Sequence, residues 1–240
     1  MSILKDILRS LIEQDSDYWT IYNLSPELWL EVKRNENSMQ WTDLMDYALC
    51  KLQDNGVAIN DIAQNLKTIP FSQEMRNVLM DLKSKEIPVI LLSDANTFYI
   101  ETILTAYDVR DCVTQVITNP AYIDEKGRLR VQRYILASDP QHNCTNPCSV
   151  NICKGKELDM LLKKYGPLEK VAYIGDGKND FCPATRLRYT DMLFMRQEKG
   201  LERFFNDEPE EKKRIKSSFV YWINPETVWK AMPNYFSLQL

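Results

Sequence analysis

Val171-Ala172-Tyr173-Ile174-Gly175-Asp176-Gly177-Lys178-Asn179-Asp180 is a short apolar run that ends in a polar turn framed by two glycines. Four apolar residues before such a turn, with a helix expected from about Asn179, read as a buried strand entering a loop and a helix. The same order of elements occurs upstream. Ile87-Pro88-Val89-Ile90-Leu91-Leu92 ends at Ser93-Asp94, a helical stretch runs from Thr97 to Tyr107, and Val113-Thr114-Gln115-Val116-Ile117 follows as a strand. Asp191-Met192-Leu193-Phe194-Met195 supplies another strand downstream. Repeated β-loop-α units with continuously apolar strands predict an α/β fold, a parallel sheet with helices on both faces. Ligands bind such sheets outside the carboxyl ends of the strands. The polar residues at those ends are Ser93, Asp94, Asp176 and Asp180, which should converge on one crevice.

Around this alternating region the pattern is helical. From Ser25-Pro26 to about Leu66 no strand-like alternation occurs, and Pro26 suits a first helical position after Ser25. Ser72 to Lys83 continues with Met75, Val78, Leu79 and Leu82 on one face. Glu125-Lys126-Gly127 lies between alternating segments and reads as a hairpin projecting from the sheet. Lys154 to Lys164 is helical and stops at Tyr165-Gly166-Pro167, while Asn206 to Lys216 reads as a solvated helix or loop. Residues 3 to 12 place Ile3-Leu4, Ile7-Leu8 and Leu11-Ile12 at the spacing of an amphipathic helix.

Composition narrows the function. Lys plus Arg at 30 against Asp plus Glu at 34 give a net charge of −4, which predicts no nucleic acid and no anionic membrane surface as partner. Nothing in the composition specifies an oligomeric state. No apolar run is long enough for a signal peptide or a membrane span, so a reduced, cytoplasmic protein is expected. Only seven glycines occur, where average usage of roughly 7% predicts more than twice as many, so glycine-rich phosphate loops are nearly excluded. Of six cysteines, Cys144, Cys148 and Cys153 cluster after the lone His142. A His/Cys zinc site has to be weighed there, but the spacings C-x3-C and C-x4-C match no common zinc module and a second half is missing. The cluster reads as buried or loop thiols near something functional.

Asp176 and Asp180, at i and i+4 beside a tight turn, suit a hard cation such as Mg²⁺, with water and substrate phosphate completing its shell. The plainer alternative is a solvated loop with a helix-capping aspartate. Ser93 and Asp94 suit a phosphate and a polar substrate group, or an N-cap for the next helix. Lys154, opening a helix, suits a phosphate, or is a surface charge.

The order Ser93-Asp94, then Lys154, then G-D-G-x-N-D at 175–180 resembles motifs two, three and four of the haloacid dehalogenase superfamily of phosphotransferases. Longer strings narrow the resemblance: Leu92-Ser93-Asp94-Ala95-Asn96-Thr97-Phe98-Tyr99-Ile100-Glu101, Asn151-Ile152-Cys153-Lys154-Gly155, and Gly175 through Ala184 are similar to the phosphoethanolamine/phosphocholine phosphatase and pyridoxal phosphate phosphatase family. Asp15-Ser16-Asp17-Tyr18-Trp19 and the cysteine cluster resemble it as well. The resemblance implies a Rossmann-like core, residues 1–19 and 70–240, with a small helical cap, 20–69, inserted after the first strand. It implies a Mg²⁺-dependent phosphomonoester hydrolase of a small phosphorylated metabolite (phosphoethanolamine, phosphocholine or pyridoxal phosphate), working through an aspartyl-phosphate. Ser93 and Lys154 then bind phosphoryl oxygens, Asp17 and Asp94 contact the substrate, and Asp176 holds the metal with Asp180 in support. Trp29, Trp41 and Tyr47 read as cap core rather than an aromatic cage.

The first motif of that superfamily, D-x-D-x-T, is altered. Aligned on Ser16-Asp17, Asp6-Ile7-Leu8-Arg9-Ser10 falls over it, so Asp6 takes the place of the nucleophile and metal ligand. Leu8, which cannot transfer a proton, takes that of the acid/base. With Lys5 and Arg9 interrupting and a helical period over 3–12, the expectation is that the first strand has been lost or replaced. Two functions follow: an active phosphatase, or an inactive phosphatase-like binding protein or truncated isoform that lacks the nucleophile strand.

Overall fold

The computed structural model describes residues 2–6, 10–166 and 168–237. Its centre is a six-stranded parallel sheet of β1 (Ser2–Asp6), β2 (Val89–Asn96), β3 (Gln115–Asn119), β6 (Val171–Gly175), β7 (Met192–Arg196) and β8 (Ser218–Trp222), in the order β3-β2-β1-β6-β7-β8. A separate antiparallel hairpin joins β4 (Ala121–Ile123) to β5 (Leu129–Val131).

The period-2 geometry of strands explains the two cores. Leu91, Ala172, Ile174 and Phe194 face one side, against Met75, Val78, Leu79 and Leu82 of α5 (Gln73–Ser84), α6 (Thr97–Ala106), and Val228 and Met232 of α11 (Pro225–Ser237). Ile90, Leu92, Tyr173, Leu193 and Met195 face the other, against Leu158 and Leu161 of α7 (Lys154–Tyr165) and Leu201 and Phe205 of α9 (Gly200–Asp207). Both faces of β2 and β6 are therefore dry, which is why these strands are apolar without alternation.

The expectation of a helix over residues 3–12 is overturned for residues 2–6. Here β1 occupies the middle of the sheet, pairing Ile3 with Val89 through Asp6 with Leu92 on one side, and Ser2 with Val171 through Lys5 with Ile174 on the other. The first strand is thus present. The reason is non-local: β2 and β6 each offer a row of backbone donors and acceptors, and only an extended segment between them satisfies both rows. Leu8 lies outside the described residues.

The helical stretch comprises α1 (Ser16–Leu24), α2 (Pro26–Asn35), α3 (Trp41–Asp54) and α4 (Ile59–Lys67). Asp15 caps α1 by accepting from the Tyr18 N–H at 2.9 Å, and Ser25 caps α2 with Pro26 at its first position. The apolar faces of these helices, including Val32, Leu44, Leu49 and Ile62, belong to the same cluster as the first sheet face. The β4–β5 hairpin does not merely project. Arg128, Arg130 and Arg133 pair with Asp54, Asp46 and Asp43 on α3, and the Gln53 amide donates to the Leu129 carbonyl at 3.0 Å. The hairpin is therefore a clamp between the sheet and the helices of residues 16–67. Beyond α9, α10 (Pro209–Lys212) is a single exposed turn, in line with a solvated reading of that stretch. No helix among the described residues is long and apolar enough to cross a membrane.

Candidate active site

The carboxyl ends of β2 and β6 open into a cleft of about 900 Å³. Its floor includes Ser93, Asp94, Asp176 and Asn179, and its roof includes Asp17, Trp29 and Trp41 from α1, α2 and α3. Strand ends and the helical stretch thus face one another across one space. Asp6 ends the backbone of β1 beside β6, where the Lys5–Ile174 pairing puts it level with Gly175, one residue short of Asp176.

The Gly175–Asp180 turn is built around a buried carboxylate. Asp180 is fully buried: Oδ2 accepts from the N–H of Asp176 at 3.0 Å and of Gly177 at 2.8 Å, while Oδ1 accepts from the Tyr173 hydroxyl at 2.7 Å and Lys154 Nζ at 3.1 Å. Lys154 is itself only 1% exposed, at the first turn of α7. This pair does not line the cleft; it fixes the turn that presents Asp176. Asp176 is buried, and Oδ1 accepts from the Ser10 hydroxyl at 3.1 Å. The two glycines are explained by close approach. A Cβ on Gly175 would meet Asp180 Cβ at 2.8 Å, and one on Gly177 would meet Asn179 Oδ1 at 2.4 Å.

On β2 the register breaks between Leu92 and Asn96, and Ser93 and Asp94 sit in that irregularity. The N-cap of α6 is Asn96, which accepts from the Tyr99 N–H at 2.9 Å, so Ser93 and Asp94 are not spent on capping. Ser93 is buried, with its hydroxyl accepting from the Ala95 N–H at 3.2 Å. Asp94 Oδ2 accepts from the Ser149 hydroxyl at 3.0 Å and from the Asn179 amide. Its Oδ1 is buried without a hydrogen-bond partner among the described residues. A desolvated acceptor at the wall of a cleft is suited to a donor on a ligand.

The roof supplies a third carboxylate and aromatic rings. Asp17 is buried and accepts from Trp41 Nε1 at 2.8 Å. Trp41 meets Trp29 edge-on at 6.4 Å between centroids, and Trp29 meets Tyr18 at 5.2 Å. Trp29 and Trp41 therefore do two things: they pack against the core, as their apolar character suggests, and they wall the cleft. Tyr47 does neither; it is exposed and donates to Glu31.

Sequence reasoning missed the polar network that joins floor and roof. Asn119 donates to the carbonyls of Asp94 at 2.6 Å and Ala95 at 2.8 Å, and accepts from the Asn151 amide at 2.7 Å. Asn151 in turn donates to Thr42 at 3.1 Å and accepts from Gln40 at 3.0 Å. Asn119 ends an apolar strand as Asp94 and Asp176 do, and that position was the available signal.

Comparison with known proteins agrees with this geometry. A family model described as "Putative Phosphatase" matches residues 2–235. The chain is 33% identical over 228 residues to a thiamine phosphate phosphatase-like protein of Arabidopsis thaliana, covering 93% of this chain and 90% of that one. It is 31% identical over 225 residues to the pyridoxal phosphate phosphatase PHOSPHO2 of Mus musculus, covering 90% of each. Among solved structures, an apo phosphoserine phosphatase superposes with a TM-score of 0.62 over 95% of this chain and 96% of the other, at 17% identity, a likeness of fold. A family match over nearly the whole chain, on a fold whose strand ends gather Asp94, Asp176 and Asn179, means that the chain belongs to this phosphatase family of the haloacid dehalogenase superfamily.

Proposed function

We propose that the chain is a Mg²⁺-dependent phosphomonoester hydrolase of a small phosphorylated metabolite, working through an aspartyl-phosphate on Asp6. The observation that carries this is the convergence of buried Asp176 and Ser93 with half-buried Asp94 at the ends of β6 and β2, with Asp6 closing the central strand between them. The metal fits the donors: the Asp176 carboxylate, a hard oxygen ligand, is buried against the cleft, and Asp6 ends the strand beside it. When bound, Mg²⁺ supplies charge neutralisation between nucleophile and phosphate. Asp180 is a positioning residue, because its oxygens already hold Lys154, Tyr173 and the turn.

In this reading the Asp6 carboxylate attacks phosphorus, and the P–O bond to the leaving group breaks with the electron pair on that oxygen. Water then cleaves the acyl phosphate. Ser93 binds phosphoryl oxygens, while Lys154, which does not line the cleft, holds Asp180 and the turn behind it. Asp94 Oδ1 and Asp17 accept from the substrate's donor or cationic group, and Trp29 and Trp41 stack on a flat or quaternary head. The names of the two relatives, which concern thiamine phosphate and pyridoxal phosphate, support an ester carrying a ring. Six cysteines with no disulfide among them support a reducing, cytoplasmic setting.

The test measures phosphate release from pyridoxal phosphate, thiamine phosphate, phosphocholine and phosphoethanolamine with Mg²⁺. Leu8→Asp, which places a carboxylate two residues after Asp6, is expected to raise kcat by about 10²- to 10⁴-fold, and Asp6→Asn to abolish release in both backgrounds. Binding of an ester without release in either background would favour a phosphatase-like binding protein instead.

A further inference from the structure

Four cysteine sulfurs come together beside the cleft, whose wall includes Cys148. Cys144, Cys148, Cys153 and Cys182 lie with their Sγ atoms all within 4.8 Å of one another. The separations include 3.6 Å for Cys144–Cys182, 3.6 Å for Cys148–Cys153 and 3.8 Å for Cys153–Cys182. A disulfide needs about 2.05 Å, so these are not bonded pairs. A tetrahedral zinc–thiolate centre with Zn–S of about 2.3 Å requires sulfurs on an edge of about 3.8 Å. We propose that the four cysteines form a structural Zn²⁺ site, distinct from the carboxylate site in the cleft.

The surroundings suit thiolate ligands. The Lys156 N–H points at Cys153 Sγ at 3.4 Å, from the first turn of α7 that Cys153 caps, and the Asn146 amide points at Cys182 Sγ at 3.2 Å. Such N–H···S contacts orient and stabilise coordinating sulfur. Cys153 and Cys182 are buried and the other two half-buried, and four sulfurs would complete a tetrahedral shell with no open position for substrate. His142 is not a ligand: Nδ1 accepts from the Cys144 N–H at 3.0 Å, which leaves the proton on Nε2 to be donated to the Ser149 carbonyl at 2.9 Å. It braces the loop instead. Gly155 makes the approach of α7 possible, because a Cβ there would lie 2.5 Å from Cys182 Sγ.

The site would join three segments that build the cleft or brace it. Cys148 precedes Ser149, which donates to Asp94; Cys153 precedes Lys154; and Cys182, in α8 (Phe181–Ala184), follows Asp180 by two residues. One ion would therefore staple the floor loop and the Lys154 end of α7 to the Asp176–Asp180 turn. Soft sulfur donors select zinc here, as hard oxygen donors select magnesium in the cleft.

The full chain, expressed with zinc and purified under reducing conditions into Mg²⁺ buffer, is expected to carry close to one zinc by elemental mass spectrometry. Replacement by Co²⁺ is expected to give thiolate-to-cobalt charge-transfer bands and visible bands of a tetrahedral sulfur site. Zinc held by Asp176 instead would give no charge transfer. Cys148→Ser should lose the metal and the bands, and Cys112→Ser should keep both. Should Cys148→Ser not fold, maleimide labelling of the parent decides: the four clustered cysteines react only after chelator, while Cys50 reacts with or without it. Substoichiometric zinc, missing charge-transfer bands, identical labelling with and without chelator, bound iron, or a disulfide among the four would each overturn the proposal.

Discussion

Replacing Asp180 with asparagine is the sharpest test of how the turn is held. The carboxylate accepts from four donors and pairs with Lys154, both groups being at most 1% exposed. An asparagine keeps one acceptor oxygen. Its NH₂ must then face either the two backbone N–H groups of Asp176 and Gly177, or Lys154 Nζ and the Tyr173 hydroxyl. The first orientation leaves two buried backbone donors facing a donor. The second sets the NH₂ against Lys154 Nζ, and in either orientation the Asp180 charge beside that ammonium is lost. Breaking a buried ion pair by removing one partner costs about 3 to 5 kcal/mol, and at roughly 2 to 4 °C per kcal/mol for a chain of this size Tm should fall by roughly 6 to 20 °C. Urea unfolding monitored by circular dichroism and by tryptophan fluorescence supplies the free energy. Lys154→Met alone should also destabilise, but Lys154→Met with Asp180→Asn should lose less than the sum, with a coupling of at least about 1 kcal/mol. An Asn variant within about 0.5 kcal/mol of the parent, or an additive cycle, would refute the assignment of Asp180 as the organiser of the turn.

Three further outcomes are expected. Gly175→Ala should destabilise by about 1 to 3 kcal/mol, because the obstructing atom is the Cβ of buried Asp180, 2.8 Å away; a thermal melt superimposable on the parent's would contradict this. Arg130→Ala removes the guanidinium that faces Asp46 across the hairpin and α3, so hydrogen exchange should quicken in β4, β5 and α3 while β2 and β6 keep their protection. The third concerns pH. Hydrogen bonds from the Arg128 N–H, with support from its guanidinium and the Lys126 N–H, hold the Asp124 carboxyl down to about 2. A carboxyl depressed on folding contributes stability above its unfolded value and loses it as pH falls through the folded one. The hairpin should therefore weaken between about pH 4 and pH 2, and Asp124→Asn should remove that acid-side change when followed by NMR.

Which parts of this molecule could be read in advance depends on whether the deciding interaction is local. Ser25-Pro26 announces α2 because cap and first turn are neighbours in sequence, and the structure has Ser25 accepting from the Leu28 N–H. Apolar runs of four or five residues announce β2 and β6 because both faces are buried. Ser93, Asp94 and Asp176 meet in one cleft because each sits at the end of its own apolar run, and parallel strands bring such ends together without further instruction. The β1 segment fails that rule. Ser2–Asp6 is too short for periodicity to decide, Lys5 interrupts it, and the apolar pairs that continue to Ile12 fit a helical period. What makes it a strand is the pair of open edges on β2 and β6, separated from it by more than eighty and more than one hundred and sixty residues. The cysteines fail in the same way. Three of them are close in sequence, but Cys182 arrives 29 residues after Cys153 through a helix and a strand, so no spacing rule reaches it. It stands two residues after Asp180, inside a stretch whose visible pattern is that of its aspartates. A residue placed by one element's pattern is legible; a residue whose partner is delivered by the topology becomes so only once the sheet order is known.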